Sequence, residues 1–162
     1  MAALQFNADE MFTIAEQIER NGARFYRTAA ERLPAGRDLL LSLAAMEDSH
    51  LATFQEMHKS VSARQAELLT GDPDNQAALY LSALAGDHVF DTKKDPVAML
   101  KGNENLKDIL HIAIGLEKDS VVFYAGMREL VSPKLGKDRI DFIIREEMKH
   151  IALLSGKLSE QK

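Results

Sequence analysis

Apolar residues recur at every third or fourth position along most of this chain, which is the spacing of one face of an α-helix. The first such segment follows Asn7, where Asn-Ala-Asp-Glu predicts a capping box, and it ends at Leu33–Pro34. Its apolar positions are Phe12, Ile14, Ile18, Phe25 and Ala29. Together the apolar segments predict four long helices, over about residues 7–33, 35–68, 103–130 (beginning at Asn103 or Asn105) and 132–159.

Residues 69–104 separate helix two from helix three and carry most of the helix-ending residues. Asp72–Pro73 is typical of an N-cap followed by proline at the first helical position, and Gly86 would end the short helix that it opens. Asp95–Pro96 predicts a second short turn, ended by Gly102. We therefore expect a connector with short helical pieces between two pairs of long helices.

Two short motifs place charged side chains on helical faces. Glu47 precedes His50 by three residues, and Glu147 precedes His150 by the same spacing. Residues three apart in a helix project from one face, so each carboxylate and imidazole can hold the same metal ion. Glu47 and His50 also fall within the apolar stripe of helix two, which indicates that they are buried.

Each motif follows a matching segment in which a glutamate precedes a tyrosine by seven residues. These pairs are Glu19 with Tyr26 and Glu117 with Tyr124. The offset between the two halves is 98 residues for these pairs and 100 for the glutamate–histidine motifs. We interpret the chain as a duplicated helical hairpin, with two extra residues in the second copy.

The connector and the motif positions predict how the helices are arranged. A connector of about 34 residues can traverse the length of a bundle, which makes helices two and three parallel. Glu19 lies 15 residues before Pro34, and Glu117 lies 15 before Ser132, so the ligands should meet at one height near mid-bundle. The predicted fold is therefore all-α: a ferritin-like four-helix bundle with one long crossover between helices two and three.

Composition narrows the classes of function. The 162 residues suit a single domain over 1–162, and a net charge of −5 without a basic cluster argues against a nucleic-acid partner. The sequence has no cysteine, which excludes disulfides, thiolate zinc sites and a rubredoxin-type iron centre. We find no signal peptide and no 18-residue apolar stretch, so we expect a cytoplasmic protein with no membrane contact.

Four buried carboxylates would repel one another unless cations neutralise them. Two divalent ions would do so, each also binding one histidine, and this ligand set suits iron or manganese better than copper. We expect Glu47 and Glu147 to bridge the metals, with Glu19 and Glu117 as terminal ligands. Tyr26 and Tyr124 are placed to donate hydrogen bonds to these carboxylates, although both could be ordinary residues at the edge of the core.

The doubled pattern resembles the rubrerythrin branch of the ferritin-like di-iron proteins, over essentially the whole chain. The resemblance implies two iron ions per chain, with manganese or a mixed pair as the alternative, in a carboxylate-bridged centre that reacts with H2O2 or O2. Full-length rubrerythrins also carry a cysteine-rich rubredoxin domain, so here a separate electron-donor protein is implied. Members typically have another glutamate one turn after the third-helix ligand, where this chain has Ser120.

The remaining candidates have simpler interpretations. We expect His58, His88 and His111 at the surface, Glu146 at the edge of the site or exposed, and the seven methionines in the core. Leu39–Leu41 and Ile143–Ile144 widen the apolar face beyond one stripe. A homodimer would explain this, and so would a buried helix within the monomer.

Three functions fit this pattern. The first is a di-iron oxidoreductase that reduces peroxide, or couples O2 to Fe(II) oxidation, in oxidative-stress defence. The second is iron storage or delivery, with the same site acting as a ferroxidase centre. The third is a metal-binding structural or sensor protein without turnover.

Overall fold

The structure is a computed structural model that describes residues 7–61, 72, 74–85 and 94–161. These residues form five α-helices, which we number in chain order: α1 Ala8–Arg32, α2 Arg37–Val61, α3 Gln76–Ala85, α4 Leu106–Leu130 and α5 Lys137–Ser159. Short 3-10 turns at Pro34–Gly36, Pro96–Met99 and Pro133–Leu135 lie between them. The described residues contain no β-strand, and the prediction of an all-α protein is confirmed.

Capping boxes begin both helices that open a hairpin. Asn7 accepts a hydrogen bond from the backbone N–H of Glu10 at 2.8 Å, and the Glu10 carboxylate accepts one from the backbone of Asn7 at 3.2 Å. Asn105 and Asp108 repeat the arrangement at 2.9 and 3.0 Å at the start of α4. These bonds satisfy N–H groups that a helix start leaves without partners, and they decide between Asn103 and Asn105 as the start of helix three.

The hairpin turns are longer than the sequence indicated. Helix two begins at Arg37 rather than Ala35, because Pro34–Gly36 forms a 3-10 turn first. The final helix begins at Lys137 rather than Ser132, since Gly136 follows its 3-10 turn with φ 102°. The predicted end of helix two near residue 68 lies outside the described residues.

In the connector, Asp72 lies four residues before the start of α3 and caps this helix through its side chain. Its carboxylate accepts hydrogen bonds from the backbone N–H groups of Gln76 at 3.0 Å and Ala78 at 3.1 Å. The helix therefore begins at Gln76, and the prediction that proline at position 73 would be its first residue is wrong. Gly86, expected to end this helix, lies outside the described residues. Asp95 accepts from Val97 at 2.9 Å and opens the predicted turn, which ends at Met99 ahead of Gly102.

Two hydrophobic clusters fill the bundle and give the direction of each helix. In α1 and α5, buried residues of the N-terminal half belong to the first cluster, and buried residues of the C-terminal half belong to the second cluster. In α2 and α4 this order is reversed, so α2 and α4 run parallel to each other. Helices two and three of the predicted four are therefore parallel, which requires the predicted crossover. None of the described helices combines the length and hydropathy that a membrane crossing needs.

Candidate metal centre

The six predicted metal ligands meet between the two hydrophobic clusters. Each long helix passes from one cluster to the other, and its glutamate lies in the interval. The side chains are nearly inaccessible to solvent, with residue exposures between 0% and 5%. They are Glu19, Glu47, His50, Glu117, Glu147 and His150. Buried charged groups are rare unless they are paired or hold a metal.

The ligand atoms form two overlapping groups, each compact enough to surround one ion. Glu19, Glu47, His50 and Glu147 offer atoms that all lie within 4.8 Å of one another. A second group within the same distance limit consists of Glu47, Glu117, Glu147 and His150. Glu47 and Glu147 belong to both groups, which is the position required of bridging carboxylates.

Each imidazole directs one nitrogen into the centre. His50 Nδ1 lies 3.2 Å from Glu147 Oε1 and 3.5 Å from Glu19 Oε2. His150 Nδ1 lies 2.9 Å from Glu147 Oε2 and 3.5 Å from Glu117 Oε1. The two rings stack with centroids 5.9 Å apart, so the two halves of the site face each other as the duplicated hairpin predicts.

Several of the inward-facing atoms have no hydrogen-bond partner. Six buried atoms in the centre are in this state: Glu19 Oε2, Glu47 Oε1, His50 Nδ1, Glu147 Oε1, Glu147 Oε2 and His150 Nδ1. All six lie 2.9–3.7 Å from an oppositely charged atom of the cluster but make no hydrogen bond, so their burial is only partly compensated. A pair of divalent cations would satisfy these atoms together, and the residues present fit such a pair.

Burial and repulsion change the protonation of the carboxyl groups. Burial raises the pKa of Glu19 and Glu47 well above the ordinary range, and the charges of neighbouring glutamates raise both pKa values further. Burial also raises the pKa of Glu117, to about 7. Without metal, protons therefore neutralise part of the site, and metal binding must displace them.

The histidines and Glu147 are shifted in the direction of their charged forms. Burial alone would raise the pKa of Glu147, but its contacts with His150 and His50 outweigh burial and lower the pKa to about 2. Burial would lower the pKa of His150, but its contacts with Glu117 and Glu147 raise that pKa to about 10. The imidazole rings thus act as substitute cations in the metal-free centre.

Two tyrosine hydroxyls hold the terminal glutamates in a crossed arrangement. Tyr26 donates a hydrogen bond to Glu117 Oε1, and Tyr124 donates one to Glu19 Oε1. Each tyrosine therefore supports the glutamate of the other hairpin. Burial raises the pKa of both hydroxyls well above the ordinary value, which keeps them protonated donors.

Gly22 allows α1 and α2 to approach each other at the centre. A Cβ at this position would lie 3.0 Å from Glu47 Oε2 and 3.3 Å from Glu47 Cδ. Glycine in a helix interior costs up to ~1 kcal/mol relative to alanine. Glycine at this position therefore permits close packing, and the atoms that it accommodates belong to a side chain present in both groups.

Ser120 and Glu146 lie beside the centre without joining either ligand group. Ser120 is buried on α4 and its hydroxyl donates to the carbonyl of Leu116 at 3.1 Å, so this position supplies no carboxylate. Glu146 is partly exposed and accepts a hydrogen bond from Lys149 at 2.7 Å. The expectation that Glu146 lies at the edge of the site is confirmed.

The histidines outside the motifs differ from one another. His111 is exposed, as expected, and His88 lies outside the described residues. His58 is half-buried between α1 and α2, with Nδ1 2.6 Å from Glu16 Oε1 and Nε2 2.8 Å from Asp9 Oδ1. His58 lies at the surface, as expected, but its two partners on α1, which are 42 and 49 positions away in the chain, were not predicted.

The methionines are divided between core and surface. Three described methionines are fully buried: Met11, Met57 and Met127. Three others expose a third or more of their surface: Met46, Met99 and Met148. The assignment of all methionines to the core is therefore wrong for half of those described. The sulfur of Met46 lies 3.0 Å from His150 Nε2, a contact that the sequence did not predict.

The apolar surface also differs from expectation. Ile143 is buried and Ile144 packs against the first cluster, so this pair belongs to the core and leaves no surplus. Of Leu39–Leu41, only Leu41 is exposed, while Phe142 and Leu153 on α5 present more apolar surface to solvent. The homodimer stays a prediction, without the patch on which it was based.

The fold and the cluster agree with a comparison to solved structures. The chain is similar to the crystal structure of a Thermotoga maritima protein provisionally identified as a ferritin-like diiron-carboxylate protein. The two are 26% identical, and the match covers 96% of this chain and 97% of that chain with a TM-score of 0.73. No protein-family model matches the sequence, and the curated proteins gave no significant match. The predicted ferritin-like fold is confirmed, and the buried carboxylate–histidine cluster is consistent with a di-iron site.

Proposed function

We propose that this chain is a di-iron oxidoreductase that reduces hydrogen peroxide, with a separate protein as its electron donor. The observation that carries the proposal is the pair of overlapping ligand groups, which share Glu47 and Glu147 inside a buried site. Such a site holds two metals close together, which is the arrangement for two-electron chemistry on a small oxidant. We place the activity in oxidative-stress defence.

The protein's own groups determine which substrates and reactions the site admits. Its four carboxylates and two imidazoles would fix two ions without any cysteine ligand, and hard oxygen with nitrogen ligands suits iron or manganese. The hydroxyls of Tyr26 and Tyr124 orient the terminal carboxylates and restrict how far they can move. When bound, a pair of ferrous ions supplies the two electrons that convert one H2O2 to two waters.

The same site would also support ferroxidase chemistry, in which O2 is the oxidant and iron the cargo. Ser120 favours this second function, because the resemblance to rubrerythrins leads us to expect a further glutamate there. Storage would additionally require a closed shell of many subunits with an interior cavity. The homodimer that we propose has no such cavity, so iron uptake would stop once the paired sites are filled.

Anaerobic titration of the Fe(II)-loaded protein with H2O2, beside a titration with O2, tests the proposal. We expect oxidation to be complete at about one equivalent of H2O2 per pair of irons, because reducing one peroxide takes two electrons. The protein should then remain oxidised until an external reductant is added, since the sequence has no cysteine to hold an electron-relay centre.

A matched pair of variants on α2 controls for iron bound elsewhere. Glu47→Gln should abolish the peroxide-dependent oxidation. Glu56→Gln should behave as the parent, because that side chain is 70% exposed and pairs with Arg139 at the surface. Light scattering should give the size of a dimer. Mineral formation well beyond two irons per chain would overturn the peroxidase proposal and leave storage in its place.

A further inference from the structure

Met46 touches the outer side of a histidine whose inner side faces the candidate metal centre. His150 directs Nδ1 at Glu147 and Glu117, while its Nε2 lies 3.0 Å from the sulfur of Met46. A metal-binding histidine usually donates its second ring N–H to a carboxylate, a carbonyl or water. Here the acceptor is a thioether, which accepts hydrogen bonds weakly and can itself be oxidised.

The duplicated hairpin shows that this partner is not imposed by the fold. At the equivalent position of the second hairpin, 100 residues later, stands Glu146. The Glu146 carboxylate accepts a hydrogen bond from Lys149 at 2.7 Å and belongs to neither ligand group. The second hairpin thus has a carboxylate at this position, where the first hairpin has a thioether.

Met46 is also accessible to small oxidants. It is 38% exposed, whereas His150 beneath it is 3% exposed. Peroxide and water can therefore reach part of the Met46 residue, while the imidazole is shielded. Met99 and Met148 are still more exposed, at 52% and 57%, and they provide internal standards for oxidation that depends on exposure alone.

We propose that Met46 is a peroxide-modified residue whose oxidation weakens metal binding by the group that contains His150. The inference rests on the proposed function, because a centre that draws in peroxide raises the local concentration of that oxidant beside Met46, whose sulfur lies 3.0 Å from a histidine of the centre. In the reaction the sulfur lone pair attacks one oxygen of H2O2 and the O–O bond breaks. That oxygen stays on sulfur as the sulfoxide, and the other leaves as water after a proton transfer through solvent.

The consequence for His150 follows from the available space. A separation of 3.0 Å between Sδ and Nε2 leaves no room for an oxygen atom between them. Met46 is the exposed partner, so the sulfoxide should turn towards solvent and leave Nε2 without its acceptor. Loss of the outer partner of a metal-binding histidine typically lowers metal affinity by about 10–100-fold, and the weak thioether acceptor should lie at the lower end, roughly tenfold.

The first test compares sulfoxide formation in the metal-free and Fe(II)-loaded protein at the same H2O2 concentration. Peptide mass spectrometry measures the sulfoxide at Met46, Met99 and Met148, and peroxide consumption is followed in the same samples. In the metal-free protein the extent should follow exposure, with Met46 last. In the iron-loaded protein Met46 should be oxidised first.

The outcomes separate the inference from the function on which it rests. If the iron-loaded protein consumes peroxide but Met46 remains last, the inference is wrong and the proposed function stands. If iron loading does not increase peroxide consumption, the proposed function is wrong and the inference falls with it.

The second test measures Mn(II) affinity before and after oxidation, so that no turnover is required. Met46→Leu should bind Mn(II) roughly tenfold more weakly than the parent and should not change on peroxide treatment. Before oxidation, the parent and Met148→Leu should both bind Mn(II) tightly. Oxidation should lower their Mn(II) affinity to that of Met46→Leu, and treatment with methionine sulfoxide reductase should restore it. Equal affinity of the unoxidised parent and Met46→Leu, with both folded by circular dichroism, would overturn the inference.

Discussion

Glu47 is one of two side chains that belong to both ligand groups, whereas Glu19 belongs to one. Glu47→Ala should therefore weaken the binding of both metals, and Glu19→Ala should mainly affect one. Titration of the anaerobic variants with Fe(II) or Mn(II) measures the number of sites and their affinities. Parent-like iron binding by Glu47→Ala would show that the bridge has been assigned wrongly.

Tyr26 and Tyr124 act on the terminal carboxylates through hydrogen bonds rather than as ligands. Tyr26→Phe should preserve two-metal binding and change the rate of oxidation by peroxide, because it removes one hydrogen bond from Glu117 and leaves the ring in the core. Tyr124→Phe should act in the same way through Glu19. Stopped-flow oxidation at fixed metal content measures the effect, and loss of a metal in either variant would contradict the assigned role.

At the scale of single residues, the sequence identified the six side chains that meet in the centre but not all their neighbours. Repeated spacing was enough to identify six groups on helical faces, because the helix period determines which side chains project together. The crossed pairing of Tyr26 with Glu117 and the contact of Met46 with His150 depend on how separate helices pack. Neither pairing has a signal in local spacing.

Gly22 affects both the packing of α1 against α2 and the position of Glu47 in the centre. Gly22→Ala should favour the helix intrinsically, yet its Cβ would press on Glu47 and move a ligand that both groups share. We expect weaker metal binding with little or no gain in the stability of the metal-free protein.

Gly115 on α4 provides the matched control. A Cβ there meets no atom within 4 Å, so Gly115→Ala should raise the free energy of unfolding by up to ~1 kcal/mol and leave metal affinity unchanged. Chemical denaturation and metal titration of both variants make the comparison. If the two variants bind metal equally well, close packing at Gly22 does not position Glu47.

At the scale of elements, helix starts marked by side-chain caps were predicted well. Asn7 was identified as a cap and Asn105 was one of two candidates, because the residues of a capping box lie close together in the sequence. The 3-10 turns at Pro34 and Pro133 were missed, and so was the delayed start of α3 after Asp72. Proline is compatible with the first residue of either kind of helix, so the sequence alone did not separate them.

The whole bundle buries four carboxylates at one level, and its stability should therefore depend on metal and pH together. Metal binding to the folded state should raise the thermal midpoint by mass action. The raised pKa of Glu19, Glu47 and Glu117 means that, without metal, these groups stabilise the fold at acidic pH, where they are protonated. That stability is lost as pH rises through their folded-state pKa values, about 7 for Glu117.

Metal should therefore raise the thermal midpoint more at neutral pH than at pH 5, where protons on carboxyl groups and imidazoles compete with it. Differential scanning calorimetry with and without Mn(II) at the two pH values measures the effect. A midpoint that metal does not change would contradict metal binding by the folded centre. A larger rise at pH 5 would contradict the protonation assigned to the centre.

The topology of the whole molecule was predicted because the connector and the repeat constrained it together. Similar numbers of residues between each candidate ligand and its hairpin turn predicted that the ligands lie at one height. The length of the connector predicted that helices two and three are parallel. How the apolar surface is distributed could not be predicted in the same way. For Ile143–Ile144 the sequence left a dimer surface and a buried helix open, and the structure agrees with the buried helix, because both residues pack in the core.

The number of metal ions bound per chain tests the central claim most directly. Protein reconstituted anaerobically with Fe(II), freed of excess metal and analysed for iron and protein should contain about two irons per chain, because the ligands form two overlapping groups. Glu47→Ala should retain few or none under the same conditions. A single tightly bound zinc, or no metal retained after reconstitution, would contradict the dinuclear centre on which the proposed function depends.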